Sequence, residues 1–187
     1  MRLFLACLLP DAVARDIARE TATMRAAVPA VRWVPAERLH LTMKFLGIRP
    51  EHDVAAVRDA VASVTDRVRP FDATIGQIGA FPNFSRPRVV WLGMQPDTTF
   101  AELAGALDRR LHGLGYALES RPFHAHVTLG RVNGALPGRQ CDVLRDARER
   151  LQVSWSLPVR EVSVVRSTLG ASGARYETLT TLPLGGT

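Results

Sequence analysis

Apolar residues along this chain recur with two different periods, and the changes of period mark its elements. Residues 2–9 form a short, nearly continuous apolar run that predicts a buried strand. From Asp11 the spacing lengthens, and Val13, Ile17, Met24 and Val28 fall on one helical stripe, with Pro10 at the start and Asp11 expected as N-cap. Residues 38–47, RLHLTMKFLG, alternate polar and apolar with period two and predict a half-buried strand. Pro50, Glu51 and Asp53 open a second helix carrying Val54, Val57, Val61, Val64 and Val68. Strands are expected at 71–79 and 87–94 around the loop FPNFSRP. A third helix then starts at Asp97 and Thr98, with Phe100, Leu103, Leu107, Leu111 and Leu114 as its stripe. Residues 116–120 and 123–130 read as a hairpin-like pair, 139–151 as a weaker helix, and 153–168 and 174–184 as β-rich stretches split by LGASG, a turn signal.

Length and composition narrow this only modestly. A chain of 187 residues suits one domain, or two small lobes sharing a core, and 1–187 is expected to fold as a single bilobal unit. Hydrophobic residues make up 47% and charged residues 22%, an ordinary globular balance. The net charge of +6 favours anionic partners, but Lys44 is the sole lysine, and an arginine skew beside many alanines has a simple source in GC-rich coding. The cysteines, Cys7 and Cys141, have no metal-ligand spacing, which fits a reducing, cytoplasmic compartment. The opening MRLFLACLLP resembles a signal peptide only superficially, and no apolar stretch is long enough to span a membrane. Nothing in the chain demands more than a monomer.

Candidate chemistry sits in a long-range echo. His40-Leu41-Thr42-Met43 and His126-Val127-Thr128-Leu129 both read His-x-Thr-x on strand-like alternation. On a strand, residues two apart share a face. Each segment therefore presents an imidazole beside a hydroxyl. Leu39, Leu41, Met43 and Phe45 back the first into a core; Phe123, Ala125, Val127 and Leu129 back the second. Two histidines suit phosphodiester hydrolysis, one deprotonating water and the other protonating the leaving alkoxide near neutral pH. Threonine hydroxyls can donate to non-bridging phosphate oxygens, and Arg131 follows the second motif as a bidentate phosphate ligand. A single His-x-Thr is a chance event; two in matched context point to catalysis, with a structural role for either histidine as the bland alternative.

The chain resembles the two-histidine phosphoesterase superfamily, and within it the bacterial and archaeal RNA 2′,3′-cyclic phosphodiesterases, also called 2′-5′ RNA ligases of the LigT/ThpR type. The resemblance runs from MRLFLACLLP through RWVPAERLHLTMKFLG, FPNFSRPRVVWLG and RPFHAHVTLGRV to VSVVRSTLG and GARYETLTTLPL, nearly the whole chain. It implies an α+β fold of two pseudo-symmetric lobes, each an antiparallel sheet with helices on its outer face, with the HxTx strands lining a central cleft. It also implies roles: His40 as proton donor to the departing 3′ oxygen, His126 as the base activating water, and Thr42, Thr128 and Arg131 as phosphate ligands. The implied reaction is metal-independent and cofactor-free. It converts a terminal 2′,3′-cyclic phosphate of an RNA, tRNA-derived fragments among the options, to a 2′-phosphomonoester, with 2′-5′ ligation as its reverse. Small cyclic nucleotides as substrates, or RNA binding without turnover, are the alternatives.

Other residues are open. His124 stands where the resemblance carries no fixed residue. A zinc site with His126 and His40 is disfavoured because the adjoining sequence lacks acids, so a rim or solvated histidine is expected. Lys44 continues the His40–Thr42 face, either toward the substrate backbone or as a solvated strand-end lysine. Phe81, Phe84, Arg86 and Arg88 either stack on bases or pack their loop on the sheet. Trp33, Trp91 and Trp155 are expected in the core, and His52 and His112 on the surface.

Overall fold

The computed structural model describes residues 1–170 and 173–186. Its elements follow the order β1 (Arg2–Leu8), α1 (Asp11–Glu20), α2 (Ala22–Ala27), β2 (Val31–Trp33), a 3-10 turn (Ala36–Arg38) and β3 (His40–Ile48). Next come α3 (Asp53–Thr65), β4 (Phe71–Phe81), β5 (Val89–Gln95), α4 (Asp97–His112) and β6 (His126–Val132). The chain closes with α5 (Gly138–Arg150), β7 (Trp155–Val159), β8 (Glu161–Gly170) and β9 (Gly173–Pro183). Among the described residues these strands form one antiparallel sheet in the order β7-β4-β5-β6-β3-β1-β8-β9, with β2 paired to β6.

The sheet is two halves, four strands on the β3 side and, with β2, five on the β6 side, meeting at a narrow joint. β3 and β6 share a single register pair, Leu41 with Val127, whereas β1 pairs with β3 and β5 with β6 over most of their lengths. Leu41 and Val127 are both fully buried, so apolar packing holds a joint that backbone bonding barely secures. Helices α3 and α4 pack against β3, β8 and β9, and α5 packs against β4. α1 reaches the same half as α5, where Asp16 accepts from Trp155 Nε1 at 3.1 Å. The outer faces thus share one core, from Leu3, Leu5 and Cys7 to Phe100, Leu107 and Leu144. Cys7 lies in that core, and burial raises its thiol to about 12.

Several expected elements change, each for a visible reason. The first helix breaks at Thr21, whose hydroxyl donates to the Ile17 carbonyl at 2.7 Å, the back-bonding that bends helices. Asp11 is the first helical residue rather than the N-cap, which is Pro10. Residues 116–120 form no strand: the Ala117 carbonyl accepts from Lys44 Nζ at 2.8 Å and the Glu119 amide donates to Asp108 at 3.1 Å, so side chains satisfy this backbone instead of a neighbouring strand. The stretch 153–168 divides at Arg160 into β7 and β8. Leu114 lies past the end of α4 and is 40% exposed. The LGASG turn falls partly outside the described residues.

Candidate functional site

Both motifs carry a β-bulge at the same place. Leu5 pairs with Lys44 but Ala6 pairs with Thr42, so Met43 is an extra residue in β3. Val90 pairs with Gly130 but Trp91 with Thr128, so Leu129 is the extra residue in β6. A bulge reverses the alternation that follows it. Met43 and Lys44 therefore both turn to the core, and Phe45 emerges on the His40 face, 59% exposed. Leu129 and Gly130 likewise turn inward, and Arg131 emerges on the His126 face, exposed.

This overturns two readings of strict alternation. Phe45 does not back the strand into the core. Lys44 is neither a substrate contact nor a solvated strand end. It is 3% exposed, ion-paired to Asp108, and bonded to the Ala117 carbonyl. The bulge also brings Arg131 to the histidines, since unbroken period two would have left it on the core side with Leu129.

Antiparallel register around Leu41–Val127 sets His40 opposite Thr128 and Thr42 opposite His126, a diagonal square across the joint. The two imidazoles are held alike. His40 Nδ1 donates to the carbonyl of Arg38 at 2.8 Å and His126 Nδ1 to that of His124 at 2.7 Å, each two residues upstream. That tautomer leaves Nε2 of each ring as the unprotonated nitrogen. Thr42 Oγ1 lies 3.0 Å from Nε2 of His40, close enough to donate to it. Burial pushes both rings below the ordinary histidine value. The carbonyl bonds oppose this, while Arg131 and, for His40, the charge of His126 add to it.

Two aromatic walls flank the square. On one side Phe4 lies 5.0 Å from the His40 ring and Tyr176 meets it edge-on at 5.2 Å, with Phe45 beside Phe4. On the other, Phe81 meets His126 edge-on at 5.2 Å and Trp91 lies 6.1 Å from it. Trp91 thus lines the site instead of filling the core. Alternation along β5 holds the signal for this, because buried Val90, Leu92 and Met94 leave Trp91 on the opposite face. Its indole lies over Gly79, where a Cβ would come within 2.2 Å. Phe81 joins this wall, while Phe84 packs against the core under Arg148. Trp155 is buried as expected, and Trp33 is partly buried.

His124 sits on the rim, its Nδ1 3.7 Å from Asp97 of α4. The acid that the adjoining sequence lacks thus arrives from another element. Asp97 also accepts from the Ala125 amide at 2.7 Å, fixing the segment that presents His126. Among the described residues no three or more His, Cys, Asp or Glu side chains gather around a common point. Nor is any helix there long and apolar enough to cross a membrane.

A split antiparallel sheet with helices outside, carrying His-x-Thr on each inner strand, defines the class of two-histidine phosphoesterases. The profile of the 2′-5′ RNA ligase superfamily matches residues 9–171, and the chain belongs to that family. Among its relatives is an RNA 2′,3′-cyclic phosphodiesterase of Methanothermobacter thermautotrophicus, 33% identical over 176 residues, covering 94% of this chain and 95% of the relative. The protein of the same name from Escherichia coli is also 33% identical, covering 95% and 93%. Among solved structures, TT0787 of Thermus thermophilus superposes with a TM-score of 0.81 at 28% identity, over 100% of this chain and 99% of that one. Escherichia coli LigT complexed with 3′-AMP gives 0.75 at 30% identity, over 98% and 97%.

Proposed function

We propose that this chain hydrolyses a 2′,3′-cyclic phosphate at an RNA end to a 2′-phosphomonoester, working as a monomer on ends such as those of cleaved tRNA. His126 Nε2 takes a proton from water as its oxygen attacks phosphorus. The P–O3′ bond breaks, and protonated His40 delivers its Nε2 proton to the departing 3′ oxygen. Thr42, Thr128 and Arg131 hold the non-bridging oxygens as charge builds on them. When His40 is protonated the Thr42 hydroxyl can turn to accept from Nε2 or to donate to phosphate. A nucleotide 5′-hydroxyl that attacks phosphorus in place of water breaks the same P–O3′ bond and leaves a 2′-5′ phosphodiester, the ligation reaction.

The observation that carries this reading is the matched tethering of both Nδ1 atoms across the Leu41–Val127 joint. It leaves two unprotonated Nε2 atoms, on rings that each stand opposite the other motif's threonine. The names of the relatives support the substrate class. The test is incubation in EDTA with a short RNA ending in a 2′,3′-cyclic phosphate, and identification of the product end. Conversion to a 2′-phosphate, lowered about 100-fold or more by either His40→Ala or His126→Ala, is expected. A 3′-phosphate product would reverse the leaving oxygen. RNA binding without turnover would make the chain a binding module.

A further inference from the structure

The cleft holds more positive charge than this reaction uses. Arg32 on β2 stands directly opposite Arg131 on β6, so both side chains leave the sheet on one face. Like charges directly opposed across a sheet are destabilising. No acidic partner neutralises either of them among the described residues.

A third guanidinium joins them. Arg38 Nη1 donates to the Ala174 carbonyl at 2.8 Å, across 136 residues of sequence. A Cβ on Gly173 would lie 2.9 Å from Arg38 Nη1 and 3.5 Å from Arg32 Nη2, so both guanidiniums reach the same point at the start of β9. Gly173, at a φ of +107°, is what leaves them room. Glu177, the acid within β9, is taken by Arg166, whose Nε donates to it at 3.1 Å. The fold thus gathers three arginines and supplies one backbone carbonyl.

Their position points to the kind of anion they suit. Gly173 lies three residues before Tyr176 on β9, and Tyr176 borders His40. The point that Arg32 and Arg38 share therefore lies about 10 Å along the strand from the residue whose ring walls the reacting centre. That is a step away from the bond being broken, and Arg32 leaves the sheet on the same face as Arg131. We propose that Arg32 and Arg38 form a second phosphate subsite, holding the phosphate on the 5′ oxygen of the terminal nucleotide. In an RNA this is the phosphodiester joining that nucleotide to the rest of the strand. The subsite would make the enzyme prefer an oligonucleotide end to a lone nucleoside cyclic phosphate. The inference rests on the phosphodiesterase reading.

Three substrates with the same terminal base test it: a nucleoside 2′,3′-cyclic phosphate with a free 5′-hydroxyl, the same compound carrying a 5′-phosphate, and a dinucleotide ending in the cyclic phosphate. The unaltered protein should show a higher kcat/KM on the second and third than on the first. Arg32→Gln should remove about tenfold of that gain, mostly through KM, while turnover of the 5′-hydroxyl compound stays within about twofold. Arg32→Lys should recover part of the loss, since a point charge replaces a bidentate one. A gain confined to the 5′-phosphate compound would assign the site to free nucleotides and overturn the RNA-strand assignment. Equal losses on all three substrates would overturn the subsite while leaving the phosphodiesterase reading intact. No turnover of any of them by the unaltered protein would overturn that reading, and the subsite with it.

Discussion

His40 and His126 are each tied through Nδ1 to a carbonyl two residues upstream, and burial holds both below the usual histidine value. The proposed mechanism needs one protonated and one neutral ring. Above both values the protonated acid becomes scarce, so kcat/KM should peak on the acid side of about pH 6.5 and fall about tenfold per unit well above it. A profile flat to pH 8 would contradict the burial argument. The same depression has a stability consequence. The unfolded histidines take up protons near pH 6.5 while the folded ones resist, so stability should fall as pH drops from there toward the folded values. The titratable side chains around His126 are Arg131, His40, His124 and Asp97, and of these Asp97 alone joins the His124 carbonyl in favouring the charged ring. Asp97→Asn keeps an acceptor for the Ala125 amide but removes that charge, so the His126 limb of the pH profile should move to lower pH with little change in melting temperature. Asp97→Ala also strands a partly buried amide and should cost about 1–3 kcal/mol in denaturant unfolding.

At the scale of elements, the two bulges decide what each motif strand offers. Met43 and Leu129 occupy equivalent places, and each turns the next residue inward and the one after it out. In β3 the inward residue is Lys44, which anchors the segment that follows α4 through Asp108 and Ala117. In β6 it is Gly130, and β2 packs so closely there that a Cβ would come within 2.4 Å of Val31. The outward residues differ in chemistry, Phe45 in one half and Arg131 in the other, so a near-symmetric frame gives an asymmetric cleft. Lys44→Met leaves Asp108 without its cation. Thermal or denaturant unfolding should show a loss of about 3–5 kcal/mol, and Lys44→Met with Asp108→Asn should recover part of it. Recovery in the double variant separates an unpaired charge from lost packing.

For the whole molecule, the narrow joint is the decisive feature. Within the sheet, one register pair and two buried side chains join the halves at the place where the His–Thr square sits. Leu41→Ala should cost about 2–5 kcal/mol, as a large-to-small change in a full core does. It should also lower kcat by more than the fraction unfolded explains, because the two motifs lose their common brace. Single-turnover kinetics at a temperature where the variant is fully folded would test this. Rates equal to those of the unaltered protein would mean that the helices on the outer faces, not the joint, set the spacing.

The polar–apolar pattern by itself determined most elements, the two His-x-Thr strands and which face of each carries the histidine and threonine. These depend on period and on local turn residues, which neighbouring positions record. The pseudo-symmetry was legible for the same reason, as one motif written twice. Other features were decided only by tertiary structure. Lys44 is buried, Phe45 is exposed and Arg131 faces the histidines because each bulge shifts the phase by one residue, and a bulge is a property of the strand alongside. Asp97 reaches His124, and Arg38 reaches β9, because packing joins segments far apart in sequence. Residues 116–120 are no strand because Lys44 and Asp108 took their backbone groups. In each case the partner, not the residue itself, holds the information.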